Sequence, residues 1–228
     1  YCAGEGIEAS YRLGGPIVWA ADTRYVDGVL PTFVKAGGSG KAIIHSRLLG
    51  GNAGTSRLFE MSVREFIDDL LRYEYAQMEA FAADSGLDME LAVKLPLREG
   101  ETDVVAGDTL AYLCFTNDVD GVARIAEGDT VGIQARAYVL DSYNDPLREV
   151  FGEDEDGDGE PDVAEMVVRD NVLPGLRLAV MQMGQGDEAW VLMPSRMAWG
   201  SAGDNYVGVP PYSAVAYWLK IVEHRPKK

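Results

Sequence analysis

The spacing of apolar residues changes twice along the chain, and each change predicts a different kind of structure. Between residues 11 and 63, short apolar runs alternate with glycine, aspartate and asparagine, which is typical of strands and turns. The clearest strand predictions are the runs at 16–20, 41–45 and 58–63. The N-terminal region is therefore predicted to be β-structure.

A helical pattern follows. Ser62 and Glu65 have the spacing of a capping box, which predicts a helix beginning there. Apolar residues then recur at steps of three and four, as one stripe of an amphipathic helix. The stripe consists of Phe66, Ile67, Leu70, Leu71, Tyr75, Met78 and Phe81. Gly86 suits the C-terminus of this helix, and the stripe predicts core packing rather than a ligand site.

Strand patterns return from about Asp103 and fill most of the second half. The strand candidates are 108–115, 131–140, 189–193 and 214–222. In the second of these, the small and aliphatic residues alternate with Gln134 and Arg136, so one face is predicted to be buried. A short helix is predicted at 176–181, and the fold class is α+β.

Charge excludes one class of function. The 228 residues contain 37 Asp and Glu but 20 Lys and Arg, which gives a net charge of −17. The basic residues cluster only at Arg225, Lys227 and Lys228, whereas a nucleic-acid binder needs a basic surface. No apolar run approaches the ~20 residues of a membrane span. We therefore expect neither nucleic acid as a partner nor a transmembrane segment.

The cysteines are Cys2 and Cys114, too few for a disulfide framework or a four-cysteine zinc site. Cys114 lies in the apolar run 110–115 and is predicted to be a small core residue, although pairing with Cys2 stays open. The position of Cys2 is also compatible with the lipid-bearing cysteine of an exported lipoprotein.

An acidic segment at 154–165 has the ligand spacing of an EF-hand-type calcium loop. It also resembles the calcium segments of thrombospondin type 3-like repeats. The predicted ligands are Asp154, Asp156, Asp158, Glu160, Asp162 and Glu165. Gly159 permits the sharp turn, and without a cation the carboxylates repel one another. We expect structural calcium, and hence an extracytoplasmic location where calcium is abundant; the alternative is a solvated acidic loop without an ion.

Four motifs occur in order near the C-terminus: VLPGL at 172–176, VMQMGQG at 180–186, VLMPSRMAWG at 191–200 and VPPY at 209–212. In residues and spacing they resemble the C-terminal half of the FKBP-type peptidyl-prolyl cis-trans isomerases. Upstream, the sequence from Gly128 to Val131 resembles the Gly-Asp-x-Val that opens an early strand of that family. The resemblance implies an FKBP-like twisted antiparallel sheet wrapped around one short helix, with a pocket between them.

Pocket positions of the family map onto this sequence residue by residue. They are Phe151, Val172, Leu173, Leu176, Trp199, Val209 and Tyr217. Trp199 replaces a tyrosine of the family, and Tyr217 replaces a phenylalanine. Gly152 and Ala135 stand where an aspartate and another tyrosine are expected, so two polar groups are missing. Core packing is the alternative role for Trp199, Leu176 and Tyr217.

The resemblance implies peptidyl-prolyl isomerisation of proline-containing protein segments, with no cofactor for catalysis. Because the two polar groups are missing, the alternative is a catalytically inactive, calcium-stabilised protein-binding module. No Gly-x-Ser-x-Gly motif is present, and neither histidine lies in a nucleophile motif, so hydrolase chemistry is poorly supported.

A second copy of one motif lies near the N-terminus. Residues 37–51 align with 186–200 at a constant offset, with Gly50 opposite Trp199 and His45 opposite Pro194. This predicts a truncated FKBP-like unit. The expected organisation is this unit at 1–63, a connecting helix and linker at 64–103, and an FKBP-type domain at 104–228 that contains the acidic loop 153–165.

Overall fold

The computed structural model describes residues 34–45, 48, 56–97, 109–140, 147–151, 157, 159–169, 172–204 and 208–227. The chain divides into two compact units, residues 1–68 and residues 69–228. In the described part of the chain, no helix is both long enough and apolar enough to cross a membrane.

The first unit contains an antiparallel pair of strands, β1 (Gly38–His45) and β2 (Ser56–Val63). They include the runs predicted at 41–45 and 58–63, which confirms both as strands. The strand predicted at 16–20 lies outside the described residues. Two strands do not define an FKBP-like unit, so the truncated repeat stays a prediction.

The second unit is built on one antiparallel sheet of seven strands. They are β3 (Val93–Pro96), β4 (Leu110–Asn117), β5 (Thr130–Leu140), β6 (Leu147–Phe151), β7 (Ala164–Val167), β8 (Glu188–Met193) and β9 (Val215–Arg225). Their order is β3-β4-β8-β9-β5-β6, and β7 pairs with β5 beside β6. With helices α1 (Leu70–Asp84) and α2 (Pro174–Val180), the sheet confirms the α+β class.

The two helices pack on opposite faces of this sheet. Leu176 of α2 belongs to a core cluster with alternate residues of β5, and Met78 and Phe81 of α1 belong to another with Leu192 and Ala216. Neighbours along a strand point to opposite faces, so each strand contributes to both clusters. The predicted alternation on β5 is confirmed, because the odd-numbered residues from Ile133 to Val139 are buried.

The predicted start of the first helix is wrong. Ser62 lies in β2, opposite Ser39, and α1 begins only at Leu70. The N-cap is Asp69, whose carboxylate accepts a hydrogen bond from the Arg72 N–H at 3.1 Å. Strand pairing in the first unit therefore occupies the residues of the apparent capping box, and Phe66 is 59% exposed outside the helix.

Candidate functional site around Trp199 and Tyr217

Two aromatic rings from distant parts of the second unit stack on each other. The ring centroids of Trp199 and Tyr217 are 6.2 Å apart, with 23° between the planes. Tyr217 lies near the start of β9, paired with Val191 on one side and Ala137 on the other, and is 4% exposed. Burial raises the pKa of the Tyr217 hydroxyl above its usual range, so the ring is neutral at physiological pH.

Helix α2 brings aliphatic side chains to the same place. Leu176 is buried, and Val172 and Leu173 are half-buried against the same cluster. Pro174 starts the helix at a position where its fixed φ and missing N–H are tolerated. A Cβ on Gly175 would lie 2.8 Å from the Met193 sulfur, so glycine allows α2 to approach β8 closely.

The turn that presents Trp199 is held by one carbonyl. We call residues Ser195–Gly200 the Trp199 turn; it begins as a single 3-10 turn, Ser195–Met197. The Ser195 carbonyl accepts hydrogen bonds from the Ala198 N–H at 2.9 Å and from the Gly200 N–H at 2.8 Å. The residues on both sides of Trp199 are therefore bound to the same atom, which restricts the position of the indole.

The loop after this turn folds back toward β9. Asp204 and Val209 exchange two backbone hydrogen bonds, each 2.8 Å long. Tyr212 donates its N–H to the Gly200 carbonyl at 2.9 Å, which returns the chain to the Trp199 turn. Val209 is 1% exposed as a result and packs in the core cluster of Tyr217.

The structure thus brings together six predicted residues, which we call the Trp199 site. They are Val172, Leu173, Leu176, Trp199, Val209 and Tyr217. Phe151 lies on β6 in register with Ala137, which itself pairs with Tyr217, so the backbone places Phe151 in the same row across the sheet. Its side chain lies outside what is described.

The Trp199 site is apolar and contains no nucleophile. Ala135 is buried on β5 and supplies no hydroxyl where the resemblance implies one, and Gly152 lies outside the described residues. The indole N–H of Trp199 donates a hydrogen bond but does not accept one. The side chains of the Trp199 site are therefore suited to apolar packing and to donating one hydrogen bond.

The acidic segment lies against the polar face of β5. The Gln134 amide donates to the Pro161 carbonyl at 2.9 Å, and Arg136 donates to the Gly159 carbonyl. These two side chains alternate with the buried residues of β5 and point away from the Trp199 site. Val163 is 54% exposed and is absent from the core cluster that contains Tyr217.

Three of the predicted calcium ligands, Asp154, Asp156 and Asp158, lie outside the described residues. Of the others, Glu165 forms an ion pair with Arg225, and Glu160 accepts a hydrogen bond from Gln134 at 3.3 Å. Among the described residues, no group of three or more His, Cys, Asp or Glu side chains is arranged to hold a metal ion. Gly157 and Gly159 have positive φ values of 74° and 91°, as a tightly wound loop requires.

Sequence reasoning overlooked Glu74, a carboxylate of α1 that is fully buried. Burial raises its pKa from 4.5 to about 7, and the Ser195 side chain and backbone N–H, with Arg196, oppose that rise. No carboxylate oxygen completes a hydrogen bond of good geometry within the described structure, and the same holds for the Ser195 hydroxyl. The signal was a glutamate within the apolar stripe, four residues after Leu70 and four before Met78.

A cavity of about 590 Å³ lies elsewhere in the second unit, at the end of β4. Leu87, Leu91, Phe115 and Arg124 are among its lining residues, and no residue of the Trp199 site is. Cys114 also lines it; this free thiol is buried, as predicted, and burial raises its pKa to about 11. The cavity is therefore separate from the predicted site.

Comparison with known proteins agrees with the resemblance. Residues 121–222 match the model of the family described as FKBP-type peptidyl-prolyl cis-trans isomerase. No curated protein matches the chain. The match covers β5 to β9 and α2, and with them every element of the Trp199 site.

Several solved structures are similar to this chain. FkpA from Escherichia coli is 19% identical with a TM-score of 0.47; the match covers 68% of this chain and 59% of FkpA, less than two thirds of it. A peptidyl-prolyl cis-trans isomerase from Pseudomonas syringae is 13% identical, with a TM-score of 0.47 and coverage of 69% and 94%. The N-terminal domain of FKBP42 from Arabidopsis thaliana is 18% identical, with a TM-score of 0.43 and coverage of 59% and 100%.

The match to the FKBP-type family model lies within the second unit, from residue 121 to residue 222. Helix α1 and strands β3 and β4 precede the matched segment and complete the sheet on which the Trp199 site is built.

Proposed function

We propose that this protein is a peptidyl-prolyl cis-trans isomerase that acts on proline-containing protein segments at the Trp199 site. The observation that supports the proposal is the stacked pair of Trp199 and Tyr217, packed with Leu176 inside the segment that matches the FKBP-type family model. An apolar aromatic surface is suited to a proline ring, and no metal or cofactor is needed for the reaction.

The chemistry follows from the amide bond. Rotation about a peptide bond has a barrier of ~18–20 kcal/mol because resonance holds the bond planar. The twisted amide has lost that resonance, and its carbonyl is less polar than the planar one. A dry aromatic site therefore favours the twisted form over the planar ground state, and preferential binding of the twisted form lowers the barrier.

A second candidate is a catalytically inactive module that binds the same segments. Ala135 favours it, since a buried methyl group stands where the family resemblance implies a tyrosine hydroxyl. Without that polar contact, a ligand is held by apolar contacts and by the Trp199 indole N–H alone. Such a site binds the planar and twisted forms more equally, and equal binding gives affinity without acceleration.

A protease-free assay of cis-trans exchange in an X-Pro peptide separates the two candidates. We expect acceleration by the wild-type protein and its loss in Trp199→Ala. The matched control is Trp218→Ala, because Trp218 follows Tyr217 on β9 and points to the opposite face. Peptide binding without acceleration would favour the binding module; neither binding nor acceleration by folded protein would refute both candidates.

We also propose that the acidic segment 154–165 binds a structural calcium ion through the six predicted ligands. Supporting features are the carboxylate spacing and the positive φ of Gly157 and Gly159. Calcium would require Glu165 to leave Arg225, an exposed pair of the kind that contributes only ~0–1 kcal/mol. The ion would fasten the chain between β6 and β7 to the polar face of β5.

An extracytoplasmic location follows from this calcium proposal, because a weak calcium site is filled only where the ion is abundant. Fractionation of cells that produce the natural protein tests the location, and recovery of the protein in the cytoplasm would contradict it. Attachment of lipid to Cys2 belongs to the same proposal, and mass spectrometry of the purified mature protein tests it; Cys2 lies outside the described residues.

A further inference from the structure

Glu74 occupies an unusual place for a carboxylate. It is the fifth residue after the Asp69 N-cap of α1, and its side chain is completely removed from water. A carboxylate buried without hydrogen bonds is strongly disfavoured, so the dry arrangement is stable only when the group is protonated. Burial therefore favours the neutral form of Glu74 in the described structure.

The residue that faces Glu74 belongs to the Trp199 turn. The hydroxyl and the backbone N–H of Ser195 both lower the pKa of Glu74. The Ser195 hydroxyl is itself buried without a completed hydrogen bond in the described structure. The carbonyl of the same Ser195 holds the N–H groups of Ala198 and Gly200. One residue thus connects α1 with the backbone on both sides of Trp199.

Other charged or titratable neighbours of Glu74 are few. In the turn, Arg196 favours the ionised carboxylate. On α1, Tyr75 adjoins Glu74; its hydroxyl accepts a hydrogen bond from the Leu110 N–H at 2.7 Å, and burial raises its pKa. Tyr75 therefore stays neutral near physiological pH, and Glu74 is the group of this set that changes charge there.

We propose that Glu74 is a positioning residue for the Trp199 site: neutral Glu74 docks the Trp199 turn against α1, and ionised Glu74 releases it. The role deepens the proposed function, on which it rests for its effect on ligand binding. Release is expected because an ionised carboxylate draws water into the interface between α1 and Ser195. The ligand affected is the proline-containing segment that contacts Trp199.

The direction of the pH effect follows from the raised pKa. In the released turn, Glu74 is hydrated and titrates near its ordinary value of 4.5, whereas in the docked turn it titrates near 7. Between these two values the ratio of docked to released turn falls as pH rises, by up to about tenfold per pH unit. Above the upper value the ratio no longer changes. Ligand affinity should follow the docked fraction.

The test uses the full chain labelled with 5-fluorotryptophan and observed by ¹⁹F NMR, with Trp199→Phe assigning the Trp199 resonance. We expect that resonance to move with pH, with a midpoint between 4.5 and 7 in the wild type. Glu74→Gln, which has the same shape but does not ionise, should abolish the movement. Glu79→Gln should keep it, because Glu79 is an exposed glutamate of the same helix.

Ser195→Ala provides a second variant. Since Ser195 lowers the pKa of docked Glu74, removal of its hydroxyl should extend to higher pH the range over which the Trp199 resonance moves. A wild-type Trp199 resonance that does not titrate, or one that titrates equally in Glu74→Gln, overturns the inference. Affinity for an X-Pro peptide is measured on the same samples, and we expect it to fall with pH in the wild type and in Glu79→Gln but not in Glu74→Gln. Failure of peptide binding at every pH would refute the proposed function. The pH dependence of the Trp199 resonance would still test whether Glu74 positions the Trp199 turn.

Discussion

Trp199 and Tyr217 stack with their ring centroids 6.2 Å apart, although 18 residues (217 − 199) separate them in the chain. The relationship depends on two separate constraints. Tyr217 is fixed by strand pairing on both sides, and Trp199 is fixed by the hydrogen bonds that converge on the Ser195 carbonyl. The positions of both rings are therefore fixed by backbone hydrogen bonds.

The buried hydroxyl of Tyr217 predicts a delayed ionisation. Burial raises its pKa above the ordinary value of 10.0, so the native state favours the neutral phenol. The stabilisation that neutral Tyr217 contributes is fully present below pH 10.0 and is lost as pH rises toward the native pKa. An ultraviolet titration of wild-type protein against Tyr217→Phe should show no phenolate from Tyr217 until unfolding. A phenolate that appears at the ordinary value would contradict the burial of this ring.

Two glycines of the loop after β8 offer a matched comparison. Gly200 and Gly203 have φ values of 61° and 62°, so alanine is strained at both by about 1–2 kcal/mol. A Cβ on Gly203 would also lie 2.4 Å from the Val209 carbonyl oxygen, whereas nothing lies within 4 Å of one on Gly200. Denaturant unfolding should show a larger loss for Gly203→Ala. Peptide affinity should fall in that variant too, because Val209 is displaced; equal effects of the two substitutions would show that the loop is not closed as described.

Asp129 fastens the end of β9 to the start of β5. Its carboxylate accepts hydrogen bonds from the N–H groups of Ala126 at 2.9 Å and Lys227 at 2.8 Å, and its Oδ2 lies 2.8 Å from His224 Nε2. These contacts, the Lys227 N–H first, lower its pKa from 3.8 to about 2. Stability from ionised Asp129 is therefore present above pH 3.8 and is lost as pH falls toward 2.

Asp129→Asn should accordingly lower the unfolding free energy by about 1–3 kcal/mol near neutral pH, with the difference shrinking in acid. Denaturant unfolding of the wild type and of Asp129→Asn, near neutral pH and in acid, measures this difference in unfolding free energy. Asp118→Asn is the control, since Asp118 is half exposed and contacts only Arg124 among the ion pairs described for it, at 3.5 Å. A loss that persists unchanged at low pH would point to the shape of the side chain rather than its charge.

Calcium should raise the thermal midpoint of the protein, and a chelator should lower it, because an ion that binds only the folded loop stabilises it. An ion at about 100 times its dissociation constant contributes about 2.7 kcal/mol. Asp156→Asn with Asp158→Asn should remove the response. Asp118→Asn with Asp120→Asn is a matched control, since these are also two aspartates separated by one residue. An unchanged midpoint with and without calcium would leave the segment as a solvated acidic loop.

The sequence by itself determined the second half of the molecule well. The alternation on β5 and a short helix at 176–181 were predicted from local patterns, and the structure has them at Thr130–Leu140 and at Pro174–Val180. Local patterns succeed where the backbone period and the burial of one face agree, which holds for long strands and for helices with a clear start. The six residues of the Trp199 site came from such motifs.

Tertiary structure alone decided the rest. The edge strand β3 is only four residues long and has no clear alternation, so its pairing with β4 is visible only in the fold. The apparent capping box at Ser62 was overridden by pairing with β1, because strand hydrogen bonds satisfy the same backbone groups. Glu74 meets Ser195 across 121 residues (195 − 74), and the chemistry of a buried carboxylate depends on what the fold places beside it rather than on its neighbours in the chain.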